Sequence, residues 1–291
     1  MKPGAAGCPV PTSQPGGTLS GRHEAVRRIL AAIFFAPVFY LLVRYLPPAA
    51  FWGLVSVVAL LAVGELFRLL APKNLWPIST GIGGAATLAL LCNAQWPGMM
   101  PDRLILLLTV LLAAGLPLVS PLGLRDAVMQ SAVLVMGVLY IGLTLSCLLL
   151  TRALPDGEFL VFFLVLVTWA GDTGAYMLGK TMGHRLLAPI ISPKKTVEGL
   201  LGGIILALMV AVTSQVWFLP SLSLMDAVVL GILLTLTGLL GDLTESAIKR
   251  SVNQKDSGSL IPGHGGILDR LDSLLFTAPC FYYYVAFVKG S

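Results

Sequence analysis

The sequence has few charged residues, and its cysteines and histidines are scattered. Only 11% of its 291 residues are Asp, Glu, Lys or Arg. The four cysteines form no Cys-x-x-Cys pair and the three histidines lie far apart, so no zinc framework, disulfide framework or histidine metal cluster is indicated. The sequence contains no Walker A motif and no complete Gly-x-Gly-x-x-Gly pattern, so neither of these nucleotide-binding loops is indicated. It also contains no nucleic-acid-binding motif, which argues against a nucleic acid as partner.

What the chain has in excess is apolar residues, arranged in long runs. They make up 56% of the sequence, and the mean hydropathy is +0.88. Apolar segments of about 18 residues or more are the usual signal of membrane-spanning helices. The sequence therefore predicts an all-α, polytopic membrane protein with about nine transmembrane helices. They are predicted near residues 29–46, 50–66, 78–93, 103–119, 127–150, 158–177, 199–219, 225–242 and 272–288.

Composition and basic residues predict the domains and the orientation. Residues 1–21, rich in Gly, Pro, Ser and Thr, predict a disordered cytoplasmic tail before a single integral-membrane domain at 22–291. With the N-terminus in the cytoplasm, 15 of the 19 Lys and Arg residues fall on cytoplasmic segments. The loops around Lys194 and Lys255 are therefore predicted to face the cytoplasm.

The few charges are concentrated near the end of the chain. The 31 residues from Asp242 to Asp272 carry five negative and four positive charges between two apolar runs. If the helix of the eighth span continues, one polar face collects residues at i, i+3, i+4 and i+7. These residues are Asp242, Glu245, Ser246 and Lys249. Asp269 and Asp272, three residues apart, share a face at the predicted start of the last span.

This combination suits magnesium and a polyphosphate. Mg²⁺ takes one or two protein carboxylates and completes its coordination with water and phosphate oxygen atoms. The neighbouring bases can neutralise phosphate oxygen atoms; they are Lys249, Arg250, Lys255 and Arg270. The run Gly-His-Gly-Gly, ending at Gly266, lets backbone N–H groups approach an anion. The alternative is a solvated loop in which Asp269 or Asp272 caps a helix.

A second polar cluster lies between Trp169 and Gly203. Asp172 falls within a predicted span, where a carboxylate either lines a polar cavity or makes a hydrogen bond between helices. Lys194 and Lys195, in the run Ser-Pro-Lys-Lys-Thr, either bind phosphate or mark topology and contact lipid headgroups. The glycines of the following run, Glu-Gly-Leu-Leu-Gly-Gly, predict close packing of helices.

The charged stretch resembles the signature of the phosphatidate cytidylyltransferases, also called CDP-diacylglycerol synthases. The matching residues are Ser246-x-Ile248-Lys249-Arg250, Lys255-Asp256-x-Gly258 and Ile261-Pro262-x-His264-Gly265-Gly266-Ile267-x-Asp269-Arg270-Leu271-Asp272. The runs WAGDTGAY and SPKKTVEG resemble the same family less closely. Together the matches cover about a quarter of the chain.

The resemblance implies transfer of CMP from CTP to phosphatidate, giving CDP-diacylglycerol and pyrophosphate for phospholipid biosynthesis. It implies Mg²⁺, with a second, monovalent cation such as K⁺, and a bacterial inner-membrane location with the active site facing the cytoplasm. On this interpretation the metal ligands are Asp242, Asp269 and Asp272, and the catalytic residues are Lys249, Arg250, Lys255, Asp256 and His264. The substrate-binding residues are Ser246, Gly265, Gly266, Arg270, Lys194, Lys195 and Asp172.

Two other functions stay open at the level of the sequence. One is a different CTP-using membrane enzyme, such as a lipid-alcohol kinase or an ether-lipid cytidylyltransferase. The other is a transporter or channel, although the chain shows no internal repeat and its charges gather at one predicted face of the membrane. The oligomeric state is open as well, with a homo-oligomer as one alternative.

Overall fold

The computed structural model describes residues 37–71, 76–119, 123–258 and 265–289. The chain divides into two units after Val38, and the helical domain belongs to the second unit, Phe39–Ser291. The predicted tail at residues 1–21, residues 29–36 of the predicted first span and His264 lie outside the described residues.

The described residues are helical apart from one short hairpin. Residues 39–45 are helical and precede nine α-helices of the described part. These are α1 (Pro48–Leu70), α2 (Trp76–Gln95), α3 (Asp102–Val119), α4 (Leu124–Gly137), α5 (Thr144–Ala153), α6 (Gly157–Met182), α7 (Val197–Trp217), α8 (Leu224–Ser251) and α9 (Leu268–Tyr284). A π-helical segment (Val138–Leu143) joins α4 to α5, and another (Val285–Lys289) continues α9.

Seven helical segments of the described part are long and apolar enough to cross a membrane. They are Pro48–Leu70, Pro77–Gln95, Leu124–Ala153, Gly157–Met182, Val197–Trp217, Leu224–Ser251 and Leu268–Val288. Each corresponds to one of the predicted spans, so the prediction of a polytopic helical protein is confirmed at this level. The predicted span at 103–119 coincides with α3, which is not among these seven.

Glycines bring α6 and α7 into close contact, as the sequence predicts. A Cβ atom on Gly203 would lie 2.8 Å from the carbonyl oxygen of Gly171, and one on Gly202 would lie 2.8 Å from that of Gly174. Neither position has room for a side chain, because the backbone of the facing helix occupies that space. Since α6 carries Asp172, this packing places Asp172 close to the chain that leads into α7.

That chain is an antiparallel hairpin, which the all-α prediction missed. Strands β1 (Leu186–Ala188) and β2 (Ser192–Thr196) pair with Leu186 opposite Thr196. The Thr196 hydroxyl then accepts a hydrogen bond from the Gly199 backbone N–H at 3.1 Å and caps α7. Because side chains alternate along a strand, Lys194 and Lys195 point to opposite sides of β2. Lys194 is exposed, whereas Lys195 is partly buried.

Candidate active site

Helix α8 carries the polar face that the sequence predicts. It continues past Asp242 to Ser251, so Asp242, Glu245 and Lys249 follow one another on the same helical rod. Helix α9 begins at Leu268 and brings Asp269 and Asp272 close to this face. Acids of these helices form two neighbouring clusters, one around Lys249 of α8 and one around Lys195 of β2.

In the first cluster, the Lys249 ammonium group lies between two carboxylates. Its Nζ atom donates to Asp269 Oδ1 at 2.6 Å and forms an ion pair with Glu245, one turn away on α8. Glu245 is fully buried, and within the described part its oxygen atoms have this ion pair but no hydrogen bond of suitable direction. Lys249 therefore compensates the charge of Glu245, whose burial without a partner would be strongly unfavourable.

Asp269 also holds the two described ends of the glycine-containing loop. Its Oδ2 atom accepts hydrogen bonds from the Ser257 backbone N–H and hydroxyl, both at 3.0 Å, and from the Gly266 N–H at 2.7 Å. Gly265 has φ +83°, and a Cβ atom there would lie 2.7 Å from Asp269 Oδ2. The loop thus requires glycine at this position, because an L-residue would be both strained and too close to the carboxylate.

Glu65, on α1, is a component of this site that the sequence analysis missed. It is 7% exposed, and its Oε2 atom accepts a hydrogen bond from the Leu268 N–H at 2.9 Å. The same atom lies 3.1 Å from the Ser257 hydroxyl, whose single proton is shared between Glu65 and Asp269. A Cβ atom on Gly258 would lie 2.7 Å from Glu65 Oε1. The signal in the sequence is a single carboxylate within a predicted span, a pattern that marks functional residues in membrane helices.

The second cluster joins the hairpin to α8. Lys195, on β2, forms an ion pair with Asp242 Oδ2, and the Ser246 hydroxyl donates to Asp242 Oδ1 at 3.3 Å. Both partners of the ion pair are partly accessible, with 23% of the Lys195 side chain and 29% of the Asp242 side chain exposed. The predicted substrate-binding residues Lys195 and Ser246 are thus brought together around a predicted metal ligand.

Two further carboxylates belong to the cluster around Lys195. The Ser273 hydroxyl donates to Asp172 Oδ1 at 3.4 Å, which ties α9 to α6. Asp272 is within electrostatic range of Asp172, Asp242 and Lys195. Three carboxylates therefore share the positive charge of one lysine, on side chains that are accessible or partly accessible.

This excess of negative charge is the chemical feature that fits a cation. Within the described ranges, no three or more His, Cys, Asp and Glu side chains are arranged to hold a metal ion. Mg²⁺ needs fewer protein ligands than that, because water and phosphate oxygen atoms complete its octahedral coordination. Asp242 and Asp272 are of the right type for such a site, whereas Asp269, predicted as a third ligand, is engaged by Lys249 and the loop.

The remaining predicted residues lie around these clusters. Lys194, Lys255, Asp256 and Arg270 are exposed, and so is Arg250, whose Nη1 atom donates to the Gln254 carbonyl oxygen at 2.8 Å. His264 lies in the undescribed segment 259–264. The structure therefore brings Lys195, Ser246 and Lys249 together with the predicted acids Asp172, Asp242, Asp269 and Asp272. The other predicted charged residues of the described part lie on its surface.

Comparison with known proteins identifies relatives along the whole membrane domain. Residues 26–288 match the cytidylyltransferase family. The chain is 36% identical to a phosphatidate cytidylyltransferase of Bacillus subtilis over 91% of this chain and 97% of that protein. It is 35% identical to that of Staphylococcus aureus over 82% of this chain and 92% of the relative.

A shorter alignment gives higher identity. The chain is 43% identical to the phosphatidate cytidylyltransferase of Staphylococcus saprophyticus over 155 residues, which are 53% of this chain and 59% of that protein. In this alignment the chain thus spans 59% of the relative's length. The family match covers most of the chain, including both clusters described above. The chain therefore belongs to the cytidylyltransferase family.

Proposed function

We propose that the protein is a membrane-bound phosphatidate cytidylyltransferase, which transfers CMP from CTP to phosphatidate and releases pyrophosphate. The observation that carries this proposal is the cluster of Asp172, Asp242 and Asp272 around Lys195, on membrane-spanning helices and the hairpin. Family membership and the names of the relatives in Bacillus subtilis and Staphylococcus aureus agree with it. The substrates are thus a soluble nucleotide and a lipid of the surrounding bilayer.

The reaction makes modest demands on acid–base groups. A phosphate oxygen atom of phosphatidate attacks the α-phosphorus of CTP, a new O–P bond forms, and the bond to the β-phosphate breaks as pyrophosphate leaves. Because the attacking oxygen atom is already anionic near neutral pH, no protein base is needed. The protein has to align two anions in line and offset their charge.

The two clusters have different roles: the cluster around Lys195 would bind Mg²⁺ and phosphate, and the cluster around Lys249 supports the loop. Lys195 supplies positive charge next to the carboxylates and orients phosphate oxygen atoms, while Asp242 and Asp272 would hold Mg²⁺. When bound, Mg²⁺ would supply additional neutralisation of phosphate charge. Asp269, which pairs with Lys249, fixes the described ends of the glycine-containing loop beside these carboxylates. A monovalent cation such as K⁺ near this site stays a prediction from the family resemblance.

The decisive experiment measures incorporation of labelled CMP into lipid by the purified protein. With CTP, Mg²⁺ and phosphatidate, we expect a labelled lipid and one equivalent of pyrophosphate. Replacement of phosphatidate by a polyprenol should give no product. Label transferred to the polyprenol from CTP labelled in its γ-phosphate, with release of CDP, would instead identify a lipid-alcohol kinase.

Orientation gives a further prediction, because CTP is a cytoplasmic substrate. We propose that the acid clusters lie at the cytoplasmic face, in agreement with the distribution of Lys and Arg. Cysteines introduced by Ile190→Cys and Gln254→Cys, both at exposed positions, should resist impermeant thiol reagents in intact cells and react after lysis. The native cysteines would first be replaced. Labelling from outside at either position would contradict the orientation.

Glu65 is expected to act as a positioning residue for the loop. Glu65→Gln removes a charge that accepts hydrogen bonds from Ser257 and Leu268, so the free energy of unfolding should fall by about 1–3 kcal/mol. CMP transfer by the folded variant should fall too, because the loop loses an anchor. Chemical unfolding in detergent and single-turnover assays at low temperature measure the two effects.

Asp226→Asn is the matched control for Glu65→Gln. Asp226 is also a buried acid, 8% exposed, but it caps α8 through Ser223 and accepts from the Tyr284 hydroxyl at 2.9 Å. It lies 16 residues, or about 24 Å along the helix, from Asp242. We expect this variant to lose stability and keep its transfer rate. An equal loss of rate in both variants would indicate that Glu65 contributes only to stability and does not position the loop for transfer.

A further inference from the structure

An apolar cavity of about 880 Å³ lies among α3, α4, the π-helical segment Val138–Leu143 and α9. Its lining includes Ala114 of α3, Ala132 of α4 and Phe276 of α9. Nearly all the lining surface is hydrocarbon, and several lining residues, such as Val110 and Val128, are about half exposed on the outer, apolar side of the helices. In a membrane, this side faces lipid.

Three residues of the lining carry a hydroxyl group. Ser131 donates to the Ala127 carbonyl oxygen and Thr144 to the Tyr140 carbonyl oxygen, which leaves the Tyr140 hydroxyl. The Tyr140 side chain is 8% exposed and contacts the Phe276 ring, with centroids 6.2 Å apart. Its hydroxyl group is buried and has no hydrogen-bond partner among the described residues. A buried hydroxyl without a partner is unfavourable, so a ligand oxygen atom at this position would be stabilising.

The cavity adjoins the cluster around Lys195, which is proposed to bind Mg²⁺ and phosphate. The Tyr140 hydroxyl is within electrostatic range of Glu245, Asp272 and Asp242. On α9, Phe276 follows Asp272 by four residues, which is one helical turn or about 6 Å. A lipid whose phosphate lies beside Lys195, in the cluster that includes Asp272, would therefore have its glycerol esters near Tyr140 and its hydrocarbon chains at the cavity.

We propose that this cavity holds an acyl chain of phosphatidate and that the Tyr140 hydroxyl donates a hydrogen bond to an ester carbonyl oxygen atom of the same lipid. The inference rests on the proposed function and adds the location of the lipid tail. A second copy of the chain could also cover an apolar surface, but it would not explain an unpartnered hydroxyl within electrostatic range of the acids.

Cavity-filling variants test the acyl-chain site. Ala132→Phe and Ala114→Phe add a ring at exposed lining positions, and Ala85→Phe adds one at an exposed position of α2 outside the lining. Burial of a few methylene groups lowers the dissociation constant of a ligand by about tenfold or more. We therefore expect the lining variants to lower kcat/KM for dioleoyl phosphatidate about tenfold more than for dihexanoyl phosphatidate. Ala85→Phe should not discriminate between the two lipids.

A binding assay separates this proposal from the proposed function. Phosphatidate with a photoactivatable diazirine in its acyl chain should label peptides of α3, α4 and α9 in the purified protein, less so in Ala132→Phe, whether or not CMP is transferred. Tyr140→Phe should raise KM for both lipids. Labelling mainly at other helices, or equal labelling in Ala132→Phe and Ala85→Phe, would overturn the site. Loss of a dimer in Ala132→Phe with unchanged labelling would instead identify an interface between copies.

Discussion

We expect Asp242→Asn to lower the rate of CMP transfer from CTP to phosphatidate by about 10²- to 10³-fold, the usual loss when a transition-state electrostatic contact is removed. Asparagine preserves the size of the side chain, and α8 continues well beyond this position, so the helix should be unchanged. What is lost is the charge that pairs with Lys195 and is proposed to bind Mg²⁺. Steady-state rates across a range of Mg²⁺ concentrations measure the effect.

The control is another ion-paired carboxylate on a helix of the same membrane domain. Glu158, at the start of α6, pairs with Arg44 at 2.6 Å and Arg152 at 3.0 Å. It precedes Asp172 by 14 residues, or about 21 Å of helix. Glu158→Gln should therefore leave the transfer rate nearly unchanged. Similar losses in Asp242→Asn and Glu158→Gln would indicate general damage rather than loss of a site.

The double variant Asp242→Asn/Asp272→Asn tests whether the two acids act together. Groups that serve one site are strongly non-additive, because the site is lost only once. We expect the double variant to be scarcely slower than either single variant. Multiplication of the two losses would assign the acids to separate roles, and a normal rate in Asp242→Asn at low Mg²⁺ would contradict the metal assignment.

The largest expected effect on stability comes from Lys249→Met. Removal of one partner of a buried ion pair typically costs about 3–5 kcal/mol, because the remaining charge is left uncompensated. In this cluster the remaining charges are Glu245, which is fully buried, and Asp269, of whose side chain 12% is exposed. Equilibrium unfolding in mixed detergent micelles should show the loss directly.

Two further variants define the cause of that loss. Lys249→Met/Glu245→Gln should recover part of the lost stability, because the uncompensated carboxylate becomes a neutral amide. Lys194→Met, at an exposed lysine, should change the free energy of unfolding by less than about 1 kcal/mol. If Lys249→Met were as stable as Lys194→Met, neutralisation of Glu245 and Asp269 by Lys249 would not contribute to stability.

The helical elements of the site could be predicted from the sequence because their signals are local. The spacing of Asp242, Glu245 and Lys249 predicts one helical face, and α8 contains all three. The acids Asp269 and Asp272 were placed at the start of the last span, and α9 begins at Leu268. Both predictions depend only on helical periodicity and on the boundary between apolar and polar residues.

The partners across the fold could not be predicted in this way. The contact of Glu65 with Ser257 joins residues 192 positions apart, and periodicity carries no information on such distances. The sequence predicts Asp242 and Asp269 as metal ligands, but it does not indicate that they pair with different lysines, Lys195 and Lys249. The hairpin was missed because β2, which reads Ser-Pro-Lys-Lys-Thr, lacks the apolar alternation of a strand.

The contact between Glu65 and the loop also has a consequence for biogenesis. Ribosomes add about 5–20 residues per second, so roughly 10–40 s pass between synthesis of Glu65 and synthesis of Ser257. During that interval α1 is inserted in the bilayer with an acid whose eventual partners do not yet exist. The early helices must therefore keep Glu65 in contact with water or a temporary partner, and docking of α9 is a late step that completes the packing of α1.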